Sequence, residues 1–165
     1  MDTLRASWRM QYIADSATQD EADCIFCDYP RADNDREKLL LYRGKCCYVL
    51  LNRYPYSPGH LMVIPYRHLA DLLLLTPEEN QEMLNMAQKA VAALNSCMNP
   101  NGYNLGLNLG KVAGAGIDKH LHMHVVPRWN GDTNFMTVIG ETRVLPEALE
   151  QTYDKVLSAW GKGCR

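Results

Sequence analysis

The chain alternates between short apolar runs with strand-like spacing and two longer stretches with helical spacing, separated by segments rich in proline, glycine and charge. Leu39 to Tyr42 and Cys46 to Leu51 read as the two strands of a hairpin whose turn, Arg43-Gly44-Lys45, uses Gly44. Asn52 to His60 holds two prolines and a glycine and is expected to be a shaped loop with little freedom; Leu61 to Pro65 is the next strand. Thr76-Pro77-Glu78-Glu79 announces a helix, with Thr76 at the N-cap, Pro77 at the first helical position and acids in the first turn. Apolar residues follow at Met83, Leu84, Ala87, Val91 and Leu94, and Pro100 bounds the end.

Asn104 to Leu109 is another strand, Gly110 to Gly116 a loop, and Leu121 to Pro127 a further strand. A last helix is expected from around Pro146, with Leu149, Tyr153, Val156, Leu157 and Trp160 on one side. Pro30 to Lys38 reads as an exposed loop. Residues 1–22 carry Leu4, Trp8, Met10, Tyr12 and Ile13, too few apolar positions for an independent unit but enough to dock as an arm. Residues 23–165 then form a single domain. The element order is that of an α+β fold built on an antiparallel sheet of about five strands, with a long central helix and a C-terminal helix. A Rossmann reading fails because Gly110 to Gly116 lead into a strand, whereas a dinucleotide fingerprint opens a helix.

The strand from Leu121 changes the picture, because His120, His122 and His124 alternate with Leu121, Met123 and Val125. On an extended chain the imidazoles form one polar row, spanning about 13 Å, and the apolar residues pack behind them. Imidazoles in a row desolvate one another and repel when charged, so the row implies metal, anion or chemistry. A neutral imidazole is a good nucleophile, and His122 is the natural attacker on a phosphorus, giving a covalent intermediate that water or phosphate resolves. The loop through Gly114, Ala115 and Gly116, four residues from His120, offers backbone N–H groups as a phosphate cradle.

Cys24 and Cys27 have the two-residue gap that one metal ion prefers. A structural zinc needs two further ligands, and His68 and His120 are the candidates; a pair of buried thiols is the alternative. Six cysteines, two of them adjacent at Cys46-Cys47, fit reduced thiols better than a disulfide framework.

A net charge of -2 gives no footprint for duplex nucleic acid, and no stretch has the apolar length of a membrane span. The start is polar rather than signal-like, so a cytoplasmic protein is expected, with no nucleic-acid or membrane partner. A length of 165 residues and 47% hydrophobic content suit one ordinary core.

His120-Leu-His-Met-His124-Val-Val126 resembles the signature of the histidine triad family of nucleotide hydrolases and transferases. The likeness extends to Leu51-Asn52-Arg53-Tyr54-Pro55 and to Pro58-Gly59-His60 through Pro65, which look like the nucleotide-binding segment of the Fhit branch. The resemblance implies that His122 is the nucleophile, His124 and His60 its companions, Asn52 a ribose contact and Asn108 a polar group near the phosphates. It also implies a homodimer formed by joining two sheets, an adenine nucleotide lying across the histidine strand, and no organic cofactor. Cys24, Cys27, His68 and His120 fall where zinc-containing bacterial members place their ligands.

Many relatives carry Gln-Ser or Gln-Thr where this chain has Gly116-Ile117. The longer glycine loop, and the run from Pro127 and Arg128 to Phe135, look like bacterial members that cleave diadenosine tetraphosphate, some with phosphate as acceptor. Dinucleoside polyphosphates are therefore the expected substrates, by hydrolysis or phosphorolysis. Trp129 is either a stacking surface for a second nucleotide or a packing residue of a dimer. The competing readings are a Hint-like adenosine phosphoramidate hydrolase and a non-catalytic zinc-stabilised nucleotide-binding module.

Overall fold

Alternating side chains on three central strands put apolar groups on both faces of one sheet, and each face has its own cover. The structure is a computed structural model and describes residues 24–132 and 147–161. The arm at 1–22, Thr133 to Phe135 and the predicted helix start at Pro146 lie outside the described residues. Strands β1 (Leu40–Arg43), β2 (Cys47–Leu51), β3 (Leu61–Pro65), β4 (Gly102–Leu107) and β5 (Met123–Arg128) form a five-stranded sheet in the order β1-β2-β3-β5-β4. All pairings are antiparallel, as the hairpin pattern requires.

Cys47, Val49, Leu51, Leu61, Val63 and Val125 face two helices, α3 (Pro77–Met98) and α4 (Leu149–Trp160). Tyr48, Leu50, Met62 and Ile64 face the other way, onto Cys24, Phe26 and Ile117. That double burial is why β2 and β3 read as unbroken apolar runs.

Helix α3 begins as the sequence dictates: the Thr76 hydroxyl accepts from the Glu79 N–H, the Glu79 carboxylate accepts from the Thr76 N–H, and Pro77 takes the first position. It ends at Asn99, whose φ of 46° is left-handed, before Pro100. Its buried side differs from the expected one. Met86, Ala90 and Ala93 join Met83, Ala87 and Leu94, whereas Leu84 points to solvent. On α4, Thr152 and Ala159 are buried and Leu157 is exposed. In both helices two adjacent apolar residues, Met83-Leu84 and Val156-Leu157, straddle the stripe boundary and only one can face the sheet.

The segment expected to be an exposed loop after Cys27 contains a 3-10 turn at Tyr29–Arg31 and a one-turn helix. The short helices on either side are α1 (Ile25–Asp28) and α2 (Asp35–Lys38).

The hairpin turn at Gly44 is confirmed, though not for backbone freedom: a Cβ there would lie 1.9 Å from the Met86 side chain of α3. Glu82 of α3 accepts from the backbone N–H groups of Lys45 (2.9 Å), Cys46 and Cys47 (2.8 Å), fastening that turn to the helix.

Candidate active site

The three histidines of the row are all buried, but the ladder of β5 starts only at Met123. His120 and His122 therefore precede the strand proper. The chain bends at His120, and the alternation holds because the Leu121 N–H bonds the Leu69 carbonyl (2.6 Å) and Leu121 enters the core. His124 sits opposite Met62 of β3 and Gly106 of β4.

Each ring is held in one tautomer by its hydrogen bonds. His122 Nδ1 donates to the His120 carbonyl at 2.8 Å, so its lone pair is at Nε2. Burial pushes its pKa below the ordinary 6.5, against the contrary effect of that carbonyl bond, and the ring is neutral. A second line of bonds starts at the backbone: the Tyr56 N–H donates to His60 Nδ1 (3.0 Å), and Asn52 Nδ2 lies 3.3 Å from the same nitrogen. His60 therefore carries its proton on Nε2 and donates to His124 Nδ1 at 2.9 Å. His124 is left with an N–H at Nε2, beside the His122 ring, whose centroid is 4.8 Å away. A neutral nucleophile and a neighbouring N–H donor are what attack on a phosphoryl group requires.

The loop that carries His60 is fixed in shape. Gly59 has φ of 77°, and a Cβ there would meet Met98 Sδ at 2.7 Å. Ser57 Oγ donates to the Pro127 carbonyl (2.7 Å), tying the loop to β5 beyond the last residue that pairs with β3. Asn52 Oδ1 accepts from the Tyr54 N–H (3.0 Å), so the side chain assigned to a ribose by resemblance here also orients His60.

His120 is wired the other way. Its Nε2 donates to the Pro65 carbonyl (2.9 Å), leaving the Nδ1 lone pair 3.3 Å from Cys24 Sγ and 3.6 Å from Cys27 Sγ. His68 Nδ1 lies 3.4 Å from Cys27 Sγ, and the four donor atoms fall within 4.8 Å of one another. A tetrahedral site with ordinary metal–sulfur and metal–nitrogen bonds needs S···N separations of about 3.5 Å. The cluster fits a divalent metal, and the Pro65 carbonyl is the kind of outer partner that orients a ligating imidazole. Burial, aided by His68 and His122 and opposed by the Pro65 carbonyl, pushes the His120 pKa down to about 4. Its lone pair therefore stays available at neutral pH.

The glycine loop folds on itself. Gly110 and Gly114 have φ of 80° and 87°, and a 3-10 turn spans Lys111–Ala113. The Gly114 N–H bonds the Lys111 carbonyl (2.9 Å) and the Ala115 N–H the Gly110 carbonyl (3.4 Å). Both amides help close the turn, and Asn108 Nδ2 reaches the Gly114 carbonyl at 3.4 Å. Gly116 lies next to buried Ala115 and Ile117.

A family model for the HIT domain matches residues 34–131. The chain belongs to the HIT domain family. An AP-4-A phosphorylase of Mycobacterium tuberculosis is 41% identical over 170 residues, covering 98% of this chain and 87% of the relative. An adenosine 5'-monophosphoramidase of Schizosaccharomyces pombe is 27% identical over 135 residues, 82% of this chain and 96% of the relative. A zinc-bound histidine triad family protein from Mycobacterium smegmatis superposes with a TM-score of 0.70 at 28% identity, covering 87% of this chain and 96% of that one. The expected α+β fold with its five-stranded sheet is thus that of the HIT family.

Within this HIT site, His60, His122 and His124 come together on one face, and Cys24, Cys27, His68 and His120 in an adjoining cluster. Two further side chains were not read from the sequence. Phe26, buried inside the Cys24–Cys27 turn, packs its ring 5.2 Å from His122 and 5.6 Å from His120. Its carbonyl accepts from the Tyr48 hydroxyl (2.6 Å), which pins the turn to β2. Tyr56 packs its ring 4.6 Å from His60 while its N–H sets that ring's tautomer. An aromatic residue between two metal-spaced cysteines was the available signal for Phe26; nothing in the sequence signals a backbone N–H.

Proposed function

We propose that this HIT protein is an enzyme that cleaves dinucleoside polyphosphates, such as diadenosine tetraphosphate, through a nucleotidyl-His122 intermediate. The carrying observation is the pair of opposed tautomers at His122 and His124, a lone pair at Nε2 of the first beside an N–H at Nε2 of the second. His122 Nε2 forms a bond to the α-phosphorus as the bond to the bridging oxygen breaks, and the leaving nucleotide keeps that electron pair. An oxygen of inorganic phosphate or water then bonds to phosphorus, and the N–P electron pair returns to His122. Asn52, Asn108, His124 and the Gly114 to Gly116 turn flank the nucleotide. The 41% identity to an AP-4-A phosphorylase supports the substrate class and favours phosphate as acceptor.

Zinc is the metal we assign to Cys24, Cys27, His68 and His120, where it would tie the segment before β1 to the histidine strand; the zinc-bound mycobacterial neighbour supports this. A homodimer through the edge strand β4 is part of the same reading, supported by its exposed middle and by exposed Leu105, Leu109 and Val112. So are residues 23–165 as one domain and a cytoplasmic location. Among the described residues no helix is long and apolar enough to cross a membrane.

Incubation with diadenosine tetraphosphate and labelled inorganic phosphate is expected to yield ADP and ATP, with label in ADP. AMP and ATP would indicate water as acceptor. No cleavage in either condition, with adenosine phosphoramidate cleaved instead, would replace this reading by the phosphoramidase one that the Schizosaccharomyces pombe relative favours.

A further inference from the structure

On the histidine face, a cavity of about 230 Å³ begins at His124 and runs along β4 and β5 to Arg128. Gly106, directly across the ladder from His124, makes the space: a Cβ added there would meet nothing within 4 Å. The polar side chains of the lining are Tyr56, Asn104, Asn108, His124 and Arg128, with no carboxylate among the lining residues. The cavity is smaller than the roughly 300 Å³ of a pocket for a whole drug-sized ligand, so it suits a fragment of one.

Arg128 is held in place for an anion. Its Nε and Nη2 donate to Asp132 (2.5 and 2.8 Å), and its Nη1 donates to Asn104 Oδ1 (2.9 Å). A guanidinium has five N–H groups, so two more can point at an oxyanion. At the other end, the His60 relay supplies the His124 N–H, beside the nucleophile. Amide, imidazole and guanidinium donors along one open channel are phosphate chemistry.

The geometry points to this cavity as the subsite for the anion that leaves and the anion that enters: the polyphosphate tail of the departing nucleotide first, inorganic phosphate afterwards. Both must approach phosphorus from the side opposite His122, so one subsite serves both half-reactions. The inference rests on the nucleotidyl-His122 reading and adds to it a place for the second reactant.

Asn104→Asp keeps the acceptor for Arg128 and adds a negative charge to the cavity, while Gly106→Val fills it without charge. Single-turnover labelling of His122 is measured with diadenosine tetraphosphate, whose leaving group is anionic, and with adenosine 5'-phosphoramidate, which loses only ammonia. Both variants should slow labelling from the tetraphosphate about tenfold or more, the scale of one lost charge-assisted hydrogen bond, with the phosphoramidate rate unchanged. The KM for inorganic phosphate in releasing ADP should rise in parallel.

Equal loss with both substrates would assign the cavity to the nucleotide they share, and no loss with either would leave it without a role; each result overturns the inference. Failure of the wild-type protein to label His122 with either substrate would instead overturn the underlying reading. Metal content and Tm of the two variants establish that the fold is kept.

Discussion

His120 and His122 are two residues apart, both buried, both neutral, and hydrogen-bonded through opposite ring nitrogens. His120 donates from Nε2 to a carbonyl of β3 and turns Nδ1 to two thiols. His122 donates from Nδ1 to the His120 carbonyl and keeps its lone pair on Nε2. The difference is set by which carbonyl each ring reaches, because an imidazole whose one nitrogen donates presents a lone pair at the other. One residue type in one pattern thereby turns a lone pair to two thiols in one place and keeps a neutral ring with its lone pair at Nε2 in the next.

The strongest way to break the comparison is His122→Asn. Turnover of diadenosine tetraphosphate should fall on the order of 10⁴-fold or more with metal content unchanged. Loss of metal together with activity would merge the two roles. His60→Leu removes the donor that fixes the His124 tautomer, and a fall in kcat of about 10²-fold is expected, with metal retained; KM changing instead of kcat would make His60 a binding group.

His120→Asn should do the reverse of His122→Asn. One metal ion per chain is lost, and Tm drops by roughly 5–10 °C if the site contributes about 2–3 kcal/mol. Labelling of His122 should slow by only about tenfold. A variant that keeps its zinc by elemental analysis would remove His120 from the ligand set.

The smallest effect sharpens the contrast by lying outside both clusters. Burial raises the Glu82 pKa, but the N–H groups of Lys45, Cys46 and Cys47 outweigh it and hold the carboxyl below its ordinary 4.5. The folded state therefore favours the ionised form. Its contribution is fully present above pH 4.5 and is lost as pH falls through the depressed folded value. Glu82→Gln should cost about 1 kcal/mol at pH 7, and less as the pH falls below 4.5, leaving metal content and rate alone. Urea titrations at pH 7 and below pH 4 check both parts.

Much of this was legible in the sequence. The capping box at Thr76 and Glu79, the Gly44 hairpin and the alternation through His124 are local patterns, and local patterns survive folding. The clustering of Cys24, Cys27, His68 and His120 was legible because two residues between cysteines bring both thiols to one place and the chain offers few histidines to join them. The tautomers were not, since they depend on Pro65 and Tyr56 backbone groups that are remote or carry no side-chain signal. The turn inside the glycine loop was not legible, because composition says nothing about which carbonyls its own amides will find. Leu84 and Leu157 misled because a period alone leaves the boundary of a helical stripe uncertain by one position.

The sheet has two borders of unlike character. β1 carries an irregularity between Leu40 and Tyr42 and lies against the short helix Asp35–Lys38, whereas β4 exposes the middle of its length. Strand addition through β4, as in the proposed homodimer, would therefore be one-sided: the added copy would leave only guarded margins outward, and the ribbon would stop at two units instead of extending into a fibre.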